Sequence, residues 1–184
     1  MLLIGLGHRA RQGKSYSALR ISELASELGL DARIYSVGDE VQRWCEQRGM
    51  IPHDKPRESL TAHELSLLGY YGWIMRQQNE DVWIDQVFAR ISAADPDVAL
   101  IPNIRYPNEA RHVSELGGVN VLVERFNADG SRFVAPDRDP NAPSETSLDF
   151  WNWDYRISAG SGQLDWLTAQ AKALFTTLRE RINP

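Results

Sequence analysis

The chemistry-bearing side chains concentrate in Gly7-His8-Arg9-Ala10-Arg11-Gln12-Gly13-Lys14-Ser15. An apolar run, Leu2-Leu3-Ile4, precedes this stretch, and a helical pattern from Tyr16 to Ala25 follows it. Strand, glycine-bearing turn, Gly-Lys-Ser and helix is the order of a phosphate-binding P-loop. The order matters because N–H groups of the turn and of the helix start converge on one concave point that favours anionic oxygen. Gly7, Arg9, Arg11, Gly13, Lys14 and Ser15 are therefore the candidate phosphate-binding residues. Lys14 would supply a mobile charge for the outer phosphates, and the Ser15 hydroxyl a Mg²⁺ ligand. In the usual G-x-x-x-x-G-K-[ST] spacing the first glycine falls on His8, whereas Gly7 lies six residues before Gly13. Either the loop is one residue longer or His8 takes the glycine's place. The competing reading is an ordinary basic turn, with Arg9 and Arg11 as surface decoration.

The whole chain carries a net charge of −5, which excludes a broad electrostatic footprint for a nucleic-acid polymer. Local cations on an acidic protein suit a small anionic ligand. With 184 residues, 42% of them hydrophobic, the chain has the profile of a single globular domain, 1–184. Its one cysteine, Cys45, reads as an unreactive thiol. His8, His53, His63 and His112 show no ligand-like spacing with one another or with Cys45. Without a secretory signal or a ~20-residue apolar span, the expectation is cytoplasmic residence and no membrane.

Elements that would position the loop follow in order. Ile21, Leu24, Ala25 and Leu28 make one helical stripe closed by Gly29. Ala32 to Val37 reads as a strand, Gly38-Asp39 as a turn, and Val41 to Gln47 as a helix. After a polar loop from Pro52 to Ser59, helices are predicted over Leu60 to Arg76, with Thr61 and Glu64 as a capping box, and over Glu80 to Ser92. Val98-Ala99-Leu100-Ile101 reads as a buried parallel strand. Asn103 to Glu109 lies at its C-terminal end, where open α/β sheets place ligand-binding residues. Val119 to Val123 forms a fourth strand and Tyr155 to Ile157 a fifth. Leu164 to Leu178 is the closing amphipathic helix. The stretch 127–147 has little periodicity, the pattern of a lid or of disorder. The fold class is thus α/β: a three-layer P-loop NTPase fold with a mainly parallel sheet of about five strands, a helical insertion at about 50–93 and a short lid.

Two motifs together resemble the phage-type deoxynucleoside monophosphate kinases, within the P-loop nucleoside monophosphate kinase superfamily. They are Gly-His-Arg-Ala-Arg-Gln-Gly-Lys-Ser and Asn103-Ile-Arg-Tyr-Pro-Asn-Glu-Ala110, the latter similar to the family's D-V-R-[FY]-x-N-E segment. Gly72 to Trp83 and Ser144-Glu145-Thr146 add to the resemblance, which spans nearly the whole chain. It implies ATP and Mg²⁺ as cofactors and transfer of the γ-phosphoryl group to a deoxynucleoside 5′-monophosphate. It also implies a phage origin in a host cytoplasm, and leaves a homodimer open. Catalytic roles fall on Lys14, Arg105, Arg132 and Arg138. The acceptor set is Arg76, Trp83, Arg105, Asn108 and Glu109, and Asn103 would support the Ser15-bound metal through water.

Each role has a bland counterpart. Asn108 and Glu109 open a helix and would cap it. Arg105 could pair with Glu109, Arg76 could lie on a solvated face, and Arg132 and Arg138 could be incidental lid charges. Ser144-Glu145 could orient the lid or cap a turn. Tyr70, Tyr71, Trp73 and Gln77 could form a base slot, while Trp73, Trp83, Trp151, Trp153 and Trp166 read as core. Asn103 stands where the family has aspartate, and the Gly7–Gly13 spacing is one residue longer than the family's. A kinase for another small phosphorylated acceptor, such as phosphomevalonate, and a non-catalytic nucleotide-binding module are the alternative functions.

Overall fold

Strand β1 (Leu2–Gly7) is buried along its whole length, and its alternation feeds two layers. Leu2, Ile4 and Leu6 join a core with Ala18 and Ile21 of α1 (Lys14–Glu27) and Leu174 and Phe175 of α7 (Leu164–Leu178). On the opposite face, Gly5 lies against Val113 of α5 (Pro107–Glu115). In the computed structural model, which describes residues 1–182, the sheet order is β2-β3-β1-β4-β5 with every pairing parallel. The other strands are β2 (Ala32–Ile34), β3 (Val98–Ile104), β4 (Val119–Phe126) and β5 (Tyr155–Gly160). Parallel strands covered on both faces read as apolar runs, as Val98–Ile101 of β3 does, whereas β4 also carries the buried Asn120 and Glu124. The expected α/β class, five parallel strands with helices on both faces, is what forms.

The chain divides into two compact units, Met1–Tyr35 with Ala94–Pro184, and Ser36–Ala93. The second holds α2 (Val37–Gln47), α3 (Ala62–Gln78) and most of α4 (Val82–Ala94). This unit begins about fourteen residues earlier than the predicted insertion at about 50. The reason is local: Ser36 is an extended N-cap, and Asp39 and Glu40 occupy the first turn of α2, where carboxylates favour the helix start. Val37 and Gly38-Asp39 are therefore helical, not strand and turn. The Thr61–Glu64 capping box forms as expected. Inside this unit Trp83 has no exposed surface. Its ring meets Trp44 edge-on at 6.0 Å, and its indole N–H donates to the Gly72 carbonyl at 3.1 Å.

The stretch 127–147 is not structureless. Asn127 N–H donates to Ser131 O at 2.8 Å, Phe126 bridges Arg132, and Phe133 N–H donates to Arg125 O at 2.9 Å. Ala135 is buried, and Pro143–Thr146 forms the single helical turn α6. Turn bonds and a few anchoring contacts hold it, and neither leaves a periodic signal. Trp73 and Trp166, expected in the core, are more than half exposed. Among the described residues no helix is long and apolar enough to cross a membrane.

Candidate functional site

The parallel sheet brings the C-terminal ends of β1, β3, β4 and β5 to one edge, the usual ligand edge of open α/β sheets. The loop leaving β1 spans residues 8–13 and enters α1 at Lys14. Arg11 (φ 55°) and Gly13 (φ 100°) are both left-handed, and such residues in a turn produce concave backbone amides. The positive φ is what calls for glycine at position 13; a Cβ there would also come within 2.7 Å of Leu167 Cδ2, which would have to shift. The first turn of α1 carries no acid, which leaves its positive end uncompensated. Together these features make an anion cradle.

Arg11, Gln12, Gly13, Lys14, Ser15, Tyr16 and Asn103 line a cup of about 270 Å³. A second cavity of about 300 Å³ shares Arg11, Gln12 and Gly13 with it and is otherwise walled by residues such as Arg125, Gly160, Gln163 and Leu164. Gln12 fixes the shared wall. Its Nε2 donates to Phe133 O at 2.9 Å, and its Oε1 accepts from Arg125 N–H at 2.5 Å. Arg125 stacks its guanidinium 4.0 Å over the Phe133 ring. Neither Gln12 nor the 160–164 turn was singled out in the sequence. The signal available for the turn was Gly160-Ser161-Gly162, separated from the predicted strand by two residues.

Lys14 is buried, with 3% of its surface exposed, and its Nζ donates to the Arg9 carbonyl. Burial, with Arg105 and then Arg138 adding repulsion against the opposing pull of Glu145, brings its pKa down to about 7. Arg105 and Arg138 thus act on the buried Lys14, offset in part by Glu145, an arrangement that an anionic ligand would relieve. His8 is buried as well, and burial outweighs the neighbouring Asp149 to bring its pKa to about 4. Its neutral form is the one folding selects. The unfolded chain binds the extra proton between about pH 6.5 and 4, so this group's contribution to stability falls as pH drops through that window.

Asn103 occupies an irregularity in the β1–β3 pairing, where Leu6 faces Pro102 and Gly7 faces Ile104. It is the extra residue of a bulge, with φ 76°, and the bulge sets it in the wall of the cup. Ser15 is exposed on the first turn of α1. Both offer hard oxygen donors to one cup, a set that suits Mg²⁺ with retained waters. Ser15 would be the direct ligand and Asn103 would act through water.

The remaining candidates separate. Arg9 pairs with Asp149 at 2.6 Å and Arg11 with Asp137 at 2.7 Å. Arg105 pairs with the buried Glu145; Asp137, Glu145 and Asp149 all lie more than a hundred residues beyond the loop. Arg132 pairs with Glu124 at 2.8 Å and acts on His8, whereas Arg138 acts on Lys14. Glu109 accepts from the N–H groups of Arg105 at 2.7 Å and Tyr106 at 3.2 Å, capping α5, and Asn108 is buried in its first turn. Arg76 lies in the helical unit, donating from Nη1 to Gly72 O at 2.7 Å. Trp83 has no surface for a base to stack on, so it leaves the acceptor set. Tyr71 packs on Trp44 at 5.2 Å and edge-on to Tyr70 at 5.1 Å, and Tyr70 and Trp73 are exposed. Glu46, His53 and Asp54 come within 4.8 Å of one another, with His53 Nδ1 2.9 Å from Asp54 in an exposed pair.

Gly7 has a packing role: a Cβ there would fall 2.2 Å from Trp153 Cη2. Gly7→Ala is expected to displace that indole and cost about 1–3 kcal/mol of stability, read by urea unfolding. A variant as stable as the wild type would show that Trp153 does not need this seat.

No protein-family model matches this chain, and no curated protein matches it. Solved structures with a similar chain course include two kinases. One is the APS kinase of Mycobacterium tuberculosis in complex with AMPPNP and APS, at 15% identity and TM-score 0.48, covering 96% of each chain. The other is the shikimate kinase of Aquifex aeolicus, at 15% identity and TM-score 0.48, covering 100% of each chain.

Proposed function

We propose that this protein is an ATP- and Mg²⁺-dependent phosphotransferase that moves the γ-phosphoryl group to a deoxynucleoside 5′-monophosphate. The observation that carries the reading is the cup, which shares Arg11, Gln12 and Gly13 with a larger cavity, with Lys14 in its lining under the charges of Arg105 and Arg138. The nucleoside half of ATP is assigned to the cavity beside Arg125 and Gln163, its phosphates to the loop amides and Lys14. Arg105 is assigned to the acceptor phosphate, and the exposed Arg138 to charge neutralisation. Phosphoryl transfer is mainly positioning and charge stabilisation, and Mg²⁺ when bound would neutralise phosphate charge. The acceptor's identity as a deoxynucleotide rests on the Arg105-Tyr106-Pro107-Asn108-Glu109 resemblance.

Titration calorimetry separates the two substrates. ATP and the monophosphate are expected to bind independently, one of each per chain; mutual competition would contradict distinct donor and acceptor sites. Asn103, where a carboxylate would strengthen metal binding, favours one second reading, a nucleotide-binding module without turnover. Such a module would bind ATP and form no acceptor-dependent ADP.

Lys14 gives a pH prediction. With its pKa near 7 in the ligand-free chain, it is mostly neutral at pH 8, and phosphate charge would raise that pKa again. ATP binding at pH 8 is therefore expected to take up close to one proton, and almost none at pH 6. Affinity should fall by up to about tenfold per unit as pH rises above 7. Calorimetry in HEPES and Tris, which differ in ionisation enthalpy, measures the uptake. No uptake at pH 8 would contradict a phosphate beside Lys14.

A further inference from the structure

Three carboxylates from residues 137–149 reach the basic groups around the loop, and Glu145 differs from the other two. Asp137 is exposed and Asp149 partly so, whereas Glu145 is 4% exposed. Its Oε2 accepts the Ala10 backbone N–H at 2.7 Å, and its Oε1 accepts Arg105 Nη1. The same Nη1 donates to Ser144 O at 3.1 Å, and the backbone N–H of Arg105 donates to Glu109 at 2.7 Å. Among the described residues no hydrogen bond uses Nη2 or Nε of Arg105. Neither Ala10 nor Glu145 lines the cup, so this carboxylate grips the loop from outside and does not compete with a phosphate there.

We propose that Glu145 is a positioning residue that fixes Arg105 against the phosphate-binding loop, presenting its remaining N–H donors to the phosphate of the acceptor. The proposal rests on the acceptor role given to Arg105 above. Both partners of Glu145 are donors, so the buried site requires two acceptor oxygens. A glutamine would set its NH₂ against either the Ala10 N–H or the Arg105 guanidinium. Aspartate keeps both oxygens with a shorter reach.

The test is a double-mutant cycle on Glu145→Gln and Arg105→Ala, with Glu145→Asp as the rescue. Binding of each of the four common deoxynucleoside monophosphates, binding of ATP, and acceptor-dependent ADP formation are measured. Glu145→Gln is expected to weaken monophosphate binding and acceptor kcat/KM on the order of 10–100-fold, the scale of a misplaced binding group. ATP binding, which the Ala10 contact also touches, should fall by a clearly smaller factor than monophosphate binding, and Glu145→Asp should recover part of the loss. Adding Glu145→Gln to Arg105→Ala should cost little more, because the two act as one unit. Multiplying effects, an indifferent Glu145→Gln, or an equal loss of ATP binding would overturn the proposal. A wild-type chain that binds a monophosphate without forming ADP would fail the kinase reading while the binding cycle still decides Glu145. Kinase turnover unaffected by Glu145→Gln would fail only the positioning role. A wild-type chain that binds no monophosphate would overturn both.

Discussion

Replacing Lys14 by methionine is expected to lower acceptor-dependent turnover on the order of 10²–10³-fold, the cost of losing one preorganised charge donor at a transition state. Methionine keeps most of the stem volume that the burial of Lys14 demands, so the loss would not be a folding defect. Stability should instead hold or rise. The ligand-free fold buries this ammonium among Arg105 and Arg138, and an apolar replacement removes that desolvation and repulsion. What goes with it is the Nζ bond to the Arg9 carbonyl. Turnover and thermal unfolding on the same preparation check both halves. Wild-type-like turnover would remove Lys14 from the phosphate site, and a large drop in melting temperature would mark it as structural.

Asn103→Asp carries the second large effect, in the opposite direction. The φ of 76° at the bulge is a conformation that asparagine and aspartate both adopt with relative ease, so the substitution should leave the fold intact. It places a carboxylate in the cup that Ser15 also lines. The Mg²⁺ concentration for half-maximal turnover is expected to fall about tenfold, equivalent to about 1.4 kcal/mol, with a higher rate at limiting metal. Asn103→Val, which tolerates positive φ poorly, is the contrast and should lose stability. A lower rate in Asn103→Asp at every Mg²⁺ concentration would show that the amide itself is needed.

The glycine-bearing turn after β1 and the sheet were legible because local pattern and contact coincide there: an apolar run, a Gly-Lys-Ser, and helical stripes at Ile21 and Leu167. Gly7 illustrates the limit. The sequence offered it to phosphate, whereas its missing side chain makes room for Trp153, about 150 residues away. The carboxylates that meet Arg9, Arg11 and Arg105 come from a segment whose order rests on turns and anchoring contacts, which have no period to read. Lys14 illustrates a subtler gap: its type and position were plain, but its burial among cations depends on Arg105 and Arg138 arriving from distant elements. The helical unit was visible as a capping box and two stripes. Its start was missed because Gly38-Asp39 signals a turn locally, whereas the Ser36 cap and the acids behind it make a helix.

The most direct test of the kinase reading is ADP formation from ATP and Mg²⁺ with each of the four common deoxynucleoside monophosphates in turn, and with none. ADP that appears only when one of them is present, together with its diphosphate, is the predicted result. ADP formation equal with and without acceptor, or none while ATP still binds, would contradict it.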